Sequence, residues 1–490
     1  MKLKLLPFLI SSCLTLASQS HSHLEIPLVL KEFSYSDCQL TLSKNAQQLK
    51  ELGKKDAYNY SNFSALARGA DTGLEIDLKK SGFNGSVAYG PYNTDAEFPT
   101  VSFLPKTVKL IDGKVLLELK SVFTKANDFF KLAEKAEGII GYRIMDNEGR
   151  IVYEGRCAFT GKGPYKVLPA INEGPFVNVL DESGCLISFE TQTALKTKIA
   201  IGTQSFEDEQ ASKHHEIKLS GLQASTQYTY QITYGERKDN FKFTTAAKAG
   251  SRTAFTFAFA SANRANTGGG EKDFGGTNYQ TTRAIMAAAL QYKAVFMQNM
   301  GDITNGGNAG QDGHLLEYAN FKRALEPFWS KVPVYLGFGD HEVNYYAFEV
   351  DTVVKKSAKI DRFPYATESG EASFAKAFVH PQNGPDSEDG AVYDPNNSSI
   401  DFPTYKENVY SYTYDNVAMI VLNTEYWKAQ DPKVSGSPEG YIMDIQLKWL
   451  SETIQKFEND GTIDHIFVNV HSAVFPNGDH ANGAMWYDGS

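Results

Sequence analysis

Four short segments, each at the point where a strand-like apolar run ends and a polar loop begins, constrain the fold of this 490-residue chain more than any other feature. They read FAFASANR at 257–264, GDITN at 301–305, GDHE at 339–342 and VNVH at 468–471. An open α/β sheet builds its sites just outside the carboxyl ends of its strands. The four segments therefore predict an α/β domain with a site at these strand ends.

The hydrophobic period changes along the chain, which predicts a multidomain protein. From 23 to 164 and from 172 to 247, apolar and polar residues alternate between turn signals, as in half-buried β-strands. From 253 onward, continuous apolar runs alternate with helical patterns, which indicates a layered α/β architecture. We predict a β-rich accessory domain, a second β-sandwich module and an α/β domain over these three ranges. The segment 345–408 is predicted to be a long polar loop over the site, its acidic centre solvated rather than calcium-binding.

The formal net charge of −10 argues against a general nucleic-acid binder, which needs basic patches, so no nucleic-acid partner is expected. An anionic substrate would need a local positive centre such as a bound metal. Beyond the N-terminus, no apolar run approaches the roughly 20 residues of a membrane-spanning helix.

The first 20 residues predict a signal peptide, with a basic start followed by a short apolar core. Cleavage near Ala17 to Ser20 is one reading, and a lipobox that leaves a lipidated Cys13 as the mature N-terminus is the other. Either predicts export to a bacterial periplasm or outer envelope. The remaining Cys38, Cys157 and Cys185 allow at most one disulfide.

In their order and residue sequence, the four segments resemble the motifs of the metallophosphoesterase superfamily, which includes calcineurin-like and purple-acid-phosphatase-like proteins. The resemblance implies a four-layer α/β/β/α sandwich and a dinuclear metal centre that hydrolyses small-molecule phosphate esters. Asp302 matches the bridging aspartate, and Asp340 and His471 match metal ligands. His341 matches the catalytic histidine. Two divalent ions are implied, and these ligand types suit manganese, iron and zinc alike.

A second resemblance concerns the module at 172–247. The sequence HEIKLSGL at 215–222, followed by TQYTYQIT at 226–233, is similar to the strand pattern of a fibronectin type III-like sandwich. Such a module precedes the catalytic domain in purple acid phosphatases.

The chain departs from the family pattern in two places. Ala262 stands where the first motif carries an aspartate, and Arg264 stands at the histidine position, where it suits a phosphate oxyanion. Asn263 or Glu271 is a candidate substitute ligand. The closing G-H-x-H motif is absent, so we expect the phosphoesterase domain to be incomplete at its C-terminus.

Three further residues near the site have minor predicted roles. Asn423 and Tyr426 end another strand and are predicted to support the site, whereas His480 is expected to be a loop residue. The altered first motif leaves an alternative function open: a catalytically degenerate homologue that binds phosphorylated ligands or acts as an envelope scaffold.

Overall fold

A computed structural model describes residues 24–37, 39–52, 58–123, 128, 130–307, 310–351, 356–429 and 436–473. The predicted signal peptide, Cys13, Cys38 and His480 lie outside the described residues. The helices are α1 Tyr60–Phe63, α2 Leu132–Lys135, α3 Tyr279–Gln291, α4 Gln311–Trp329, α5 Gly370–Ala377 and α6 Asp444–Glu458.

The strands fall into three stretches of the chain. The first stretch contains β1 Phe33–Ser36, β2 Gln39–Lys44, β3 Gln47–Lys50, β4 Ala67–Gly69, β5 Gly73–Asp77, β6 Gly85–Tyr92, β7 Val108–Leu110, β8 Lys114–Glu118, β9 Glu137–Asp146, β10 Ile151–Thr160 and β11 Lys166–Leu168. The second contains β12 Ile171–Asn178, β13 Cys185–Leu195, β14 Thr197–Ile201, β15 Gln204–Glu207, β16 Ser212–Leu219, β17 Gln227–Tyr234 and β18 Arg237–Thr244. The third contains β19 Thr256–Ala260, β20 Ala294–Asn299, β21 Val334–Leu336, β22 Tyr345–Asp351, β23 Lys356–Asp361, β24 Tyr410–Tyr414, β25 Val417–Val421 and β26 His465–Asn469.

The first stretch is β-rich, as predicted. A five-stranded sheet with the order β11-β10-β9-β6-β7 and a three-stranded sheet with the order β4-β5-β8 share one apolar core. Strands β9 and β10 form an antiparallel hairpin. Strands β7 and β8 are neighbours in the chain but belong to different sheets, since β7 pairs with β6 and β8 pairs with β5.

The second stretch is a β-sandwich with sheet orders β12-β13-β16 and β15-β14-β17-β18. Alternate residues of both sheets, such as Ile187, Ile199 and Tyr230, meet in its core. Cys157 and Cys185 are both buried and unpaired. The boundaries of the three predicted domains stay predictions.

The third stretch forms the predicted four layers. The parallel sheet β19-β20-β21 faces the sheet β24-β25-β26, and Phe296, Tyr335 and Met419 pack between them. Helices α3 and α4 cover the outer side of the first sheet, and α6 covers the outer side of the second. The predicted fold class, β-sandwich modules followed by an α/β/β/α domain, is confirmed. Among the described residues, no helix is long and apolar enough to cross a bilayer.

The prediction of a long polar loop at 345–408 is wrong for its first part, which contains the hairpin β22–β23 and helix α5. Residues 378–408 are loop as predicted, but their acidic centre includes the fully buried Glu388. Tyr346 and Phe348 of the hairpin pack against Phe33 and other apolar residues of β1 and β2, some 300 residues earlier in the chain. Because that apolar partner is so distant in sequence, local patterning does not reveal it.

Candidate metal centre

Strand ends of both sheets bring the predicted site residues to one place. Ligand atoms of Asp302, Asp340 and His341 all lie within 4.8 Å of one another. The Nε2 atom of His471, after β26, lies 3.4 Å from Asp302 Oδ1 and 3.5 Å from Asp340 Oδ1. Arg264, after β19, extends its Nε to 3.9 Å from Asp302 Oδ2. The structure thus groups all five residues predicted from the motifs.

The turn before Asp302 allows the strand ends to approach each other closely. Gly301 has a φ of +84°, and a Cβ atom there would lie 2.3 Å from the backbone nitrogen of Gly339. Only glycine fits both the conformation and the space. Asp302 itself has a φ of +55°, an uncommon conformation of the kind found at functional sites.

Backbone carbonyls orient both histidines. His471 Nδ1 donates to the Met300 carbonyl at 2.6 Å, and His341 Nδ1 donates to the Asn305 carbonyl at 2.5 Å. A carbonyl oxygen can only accept, so each Nδ1 carries a proton and each Nε2 points into the site. This is the usual way in which a histidine ligand is oriented toward a metal.

The electrostatics of the cluster favour a cation. Burial raises the pKa of Asp302. Burial opposes ionisation of Asp340 too, but its hydrogen bond with His471 and the charge of Lys428 outweigh this and lower its pKa. Burial would lower the pKa of His471, yet the hydrogen bond to Asp340 and the charge of Asp302 raise it to about 9. Metal binding displaces protons from such ligands, so a cation bound here would displace the Nε2 proton of His471.

Glu342 supports the site in a way that the motif alone did not reveal. Its fully buried carboxylate accepts hydrogen bonds from the backbone N–H groups of Asp302, Ile303 and Gly339, at 2.7, 3.0 and 2.8 Å. Burial, reinforced by the charge of Asp302, raises its pKa to about 7. One side chain therefore joins the two loops that carry the aspartates.

Both candidate substitute ligands of the altered first motif are engaged elsewhere. Ala262 has no side-chain atom that could bind a metal, and the Oδ1 atom of Asn263 accepts a hydrogen bond from the Asn299 amide. Glu271 is held by Arg143 of the accessory region, with Nη1 and Oε1 2.9 Å apart. Arg264 instead donates to Nε2 of His341, which is therefore neutral in this arrangement.

The donor set fits one metal ion and not the second that the resemblance implies. Asp302, Asp340 and His471 supply two carboxylates and one imidazole around one point, a set that suits manganese, iron or zinc. On the other side of Asp302, within the described residues, the nearest charged group is the guanidinium of Arg264.

A cavity of about 460 Å³ opens beside Asp340 and His341. Tyr345 and Lys359 of the β22–β23 hairpin line one part of it, and Lys428 lines another. Lys428 is nearly buried, with Nζ 2.8 Å from Glu425 Oε2 and 3.8 Å from Asp340 Oδ2. Neither lysine belongs to a motif, so no sequence signal pointed to them.

Asn423 and Tyr426 are fully buried. The Asn423 amide donates to Asn408 Oδ1 at 3.0 Å, and the Tyr426 hydroxyl donates to the Pro403 carbonyl at 2.5 Å. Both residues hold loops together beneath the site, consistent with a supporting role.

Comparison with known proteins gives structural neighbours only. No family model matches the sequence, and no curated protein matches it. Among solved structures, a purple acid phosphatase from yellow lupin (Lupinus luteus) seeds is similar at a TM-score of 0.41 and 12% identity, over 82% of this chain and 69% of that chain. PhoD is similar at a TM-score of 0.36 and 15% identity, over 60% of each chain.

The central fibronectin-III array of RIM-binding protein is similar at a TM-score of 0.20 and 13% identity, over 38% of this chain and 67% of that chain. These neighbours are of the kinds that the motifs resemble. Because all three TM-scores lie below 0.5, the function is inferred from the geometry of the site.

Proposed function

We propose that this chain is an exported, metal-dependent phosphoesterase that hydrolyses small-molecule phosphate esters. The observation that carries the proposal is the clustering of Asp302, Asp340, His341 and His471 at the strand ends, with Arg264 beside them. Ester hydrolysis needs an activated water and neutralisation of charge on the phosphoryl group. A bound divalent metal supplies both kinds of assistance.

The other residues of the site bind the phosphoryl group, transfer the proton and accommodate the organic part of the ester. Arg264 binds a phosphoryl oxygen, because a guanidinium is permanently charged and its fork matches a phosphate. The Nε2 atom of His341 accepts a hydrogen bond from Arg264 in this structure. Once Arg264 turns to the phosphoryl oxygen, this neutral Nε2 takes up a proton from the attacking water and delivers it to the leaving oxygen. The cavity lined by Tyr345 and Lys359 accommodates the organic part of the ester. Its size is typical of small-molecule sites.

The test uses the full chain, stripped of metal and reloaded with Mn²⁺, Fe²⁺ or Zn²⁺, on a panel of aryl phosphate monoesters and diesters. We expect hydrolysis that is lost on chelation and restored by one of these ions. Asp302→Asn should reduce it at least about 100-fold, since it removes a ligand charge. The surface variant Asp464→Asn is the matched control. A metal-loaded, folded protein that hydrolyses no ester would refute the proposal.

A second candidate, a degenerate homologue that binds phosphorylated ligands, is favoured by one observation. Ala262 and Arg264 alter the first motif and remove a metal ligand. In the same experiment, this candidate predicts no hydrolysis but calorimetrically measurable binding of inorganic phosphate.

Export is proposed from the sequence at 1–20. Mass analysis of the mature protein from a bacterial host distinguishes cleavage near Ala17 to Ser20 from a lipidated Cys13. An intact N-terminus would contradict export.

A further inference from the structure

The two carboxylate oxygens of Asp302 face different partners. Oδ1 lies 3.4 Å from His471 Nε2 and accepts the backbone N–H of His341 at 3.2 Å. Oδ2 faces Arg264, whose Nε is 3.9 Å away. An aspartate that bridges two metals presents one oxygen to each of them. Here one oxygen faces the candidate metal ligands and the other faces a guanidinium.

The backbone holds Arg264 in this position from both sides. The N–H of Ala262 donates to the Gly301 carbonyl at 3.0 Å, which ties the loop to the strand end that precedes Asp302. On the other side, Asn278 donates to the Asn263 carbonyl at 2.8 Å, and Arg264 itself forms a β-bridge with Thr277. The direction of the arginine is therefore set by buried structure, although its side chain is 46% exposed.

Glu271, the candidate substitute ligand of the first-motif loop, does not pair with Arg264. Glu271, in the same loop, forms its ion pair with Arg143, and Arg143 also pairs with Glu154. The guanidinium thus faces Asp302 Oδ2, donates to His341 Nε2, and keeps the rest of its N–H groups on the open side of the site.

The exchange of residues preserves charge. By the resemblance, the first motif's aspartate and neutral histidine would hold a divalent metal, and the net charge of aspartate, histidine and metal together is +1. The net charge of Ala262 and Arg264 is also +1. A guanidinium cannot be deprotonated at ordinary pH and, being covalently attached, cannot dissociate from the site as a metal ion can, so it provides this charge permanently.

We infer that the guanidinium of Arg264 takes the place of one of the two metal ions, so that the site holds a single divalent metal and a built-in cation. The inference rests on the proposed function for the metal itself. The single metal lies on the side of Asp302 that faces Asp340 and His471. Arg264 neutralises the other side and binds a phosphate oxygen there.

The experiment counts metal and measures phosphate binding on the full chain. Metal-free protein is titrated with Mn²⁺ and examined by elemental analysis and electron paramagnetic resonance. One equivalent with an uncoupled six-line signal is expected, whereas two ions bridged by Asp302 would couple magnetically. Inorganic phosphate is then titrated into Mn²⁺-loaded wild type, Arg264→Lys, Arg264→Gln and Arg252→Gln. The last is a matched surface arginine, which is paired with Asp464.

We expect Arg264→Gln to weaken phosphate binding at least tenfold and Arg264→Lys to weaken it less. We expect Arg252→Gln to leave it unchanged, with circular dichroism showing that all four proteins are folded. Two coupled Mn²⁺ ions in wild type, or unchanged phosphate affinity in Arg264→Gln, would overturn this inference and leave the proposed function standing. No bound Mn²⁺ in wild type would overturn the proposed function together with it.

Discussion

Glu342 shows how one buried carboxylate can position two ligand-bearing loops. Its oxygens accept the backbone N–H groups of Asp302 and Ile303 from one loop and of Gly339 from the other. Hydrogen bonds to charged groups contribute about 1.5–3 kcal/mol each. The separation of the two aspartates therefore depends on a residue that we do not expect to touch the metal.

We predict that Glu342→Gln weakens Mn²⁺ binding by about 10- to 100-fold, the usual effect of removing a partner that orients metal ligands. The amide has the same shape but one acceptor fewer and no charge, so the loops should separate slightly. Isothermal calorimetry measures the affinity, and Glu452→Gln on the exposed face of α6 is the matched control. Equal affinities for Glu342→Gln and wild type would show that Glu342 does not position the ligands.

Single residues differ in how well the sequence predicts them. Asp302, Asp340 and His471 could be found because each is a ligand type that ends an apolar run. The tie between Glu342 and the Asp302 loop could not be found, because it joins residues 40 positions apart through backbone hydrogen bonds. The orientation of Arg264 toward Asp302 likewise depends on tertiary contacts of the backbone.

At the scale of elements, the β22–β23 hairpin shapes one wall of the cavity. It packs on the strands near the N-terminus through Phe348, and it presents Lys359 and Tyr345 on the cavity side. Nζ of Lys359 lies 5.4 Å from the centre of the Tyr345 ring, close enough for a cation–π contact. This element was predicted as loop because its apolar partner is in a distant part of the sequence.

We predict that Lys359→Ala raises KM for a phosphate ester with an anionic leaving group by about 3- to 30-fold. The value of kcat should stay near that of wild type. If the cavity holds the organic part of the ester as proposed, Lys359 contacts that part and not the phosphoryl group, so its loss removes binding shared by ground and transition states. Steady-state kinetics separate the two constants, with Lys448→Ala as the exposed control. A fall in kcat with constant KM would place Lys359 in the chemistry instead.

At the scale of the whole molecule, a buried ionic network joins three parts of the chain. Glu326 of α4 pairs with Arg156 of β10 and with Arg323, and it accepts the backbone N–H of Gly174 in β12 at 2.6 Å. Arg156, Arg323 and Glu326 are each at most 5% exposed. The network therefore links the β-rich accessory region and the sandwich to helix α4, which packs on the sheet β19-β20-β21.

We predict that Glu326→Gln lowers the free energy of unfolding by about 3–5 kcal/mol, because removing one partner leaves two arginines with an uncompensated buried charge. Urea denaturation followed by tryptophan fluorescence measures the change, and Glu458→Gln at the exposed end of α6 is the control. A change below about 1 kcal/mol would mean that the network is solvated and does not fasten the domains.

The layered domain was predictable because its strands and helices carry local patterns. The apolar runs at 294–299 and 334–336 and the amphipathic pattern of α6 each indicate their own structure. The ionic network that joins the accessory region, the sandwich and α4 was not predictable, since Arg156, Glu326 and Gly174 meet only in the folded chain.

The most direct test of the account is Mn²⁺ binding by His471→Ala, measured by calorimetry beside wild type and His465→Ala, an exposed histidine at the other end of the same strand. We predict one binding event in wild type, the same event in His465→Ala, and at least a tenfold loss of affinity in His471→Ala. Binding by His471→Ala as tight as that of wild type would contradict a metal site on Asp302, Asp340 and His471.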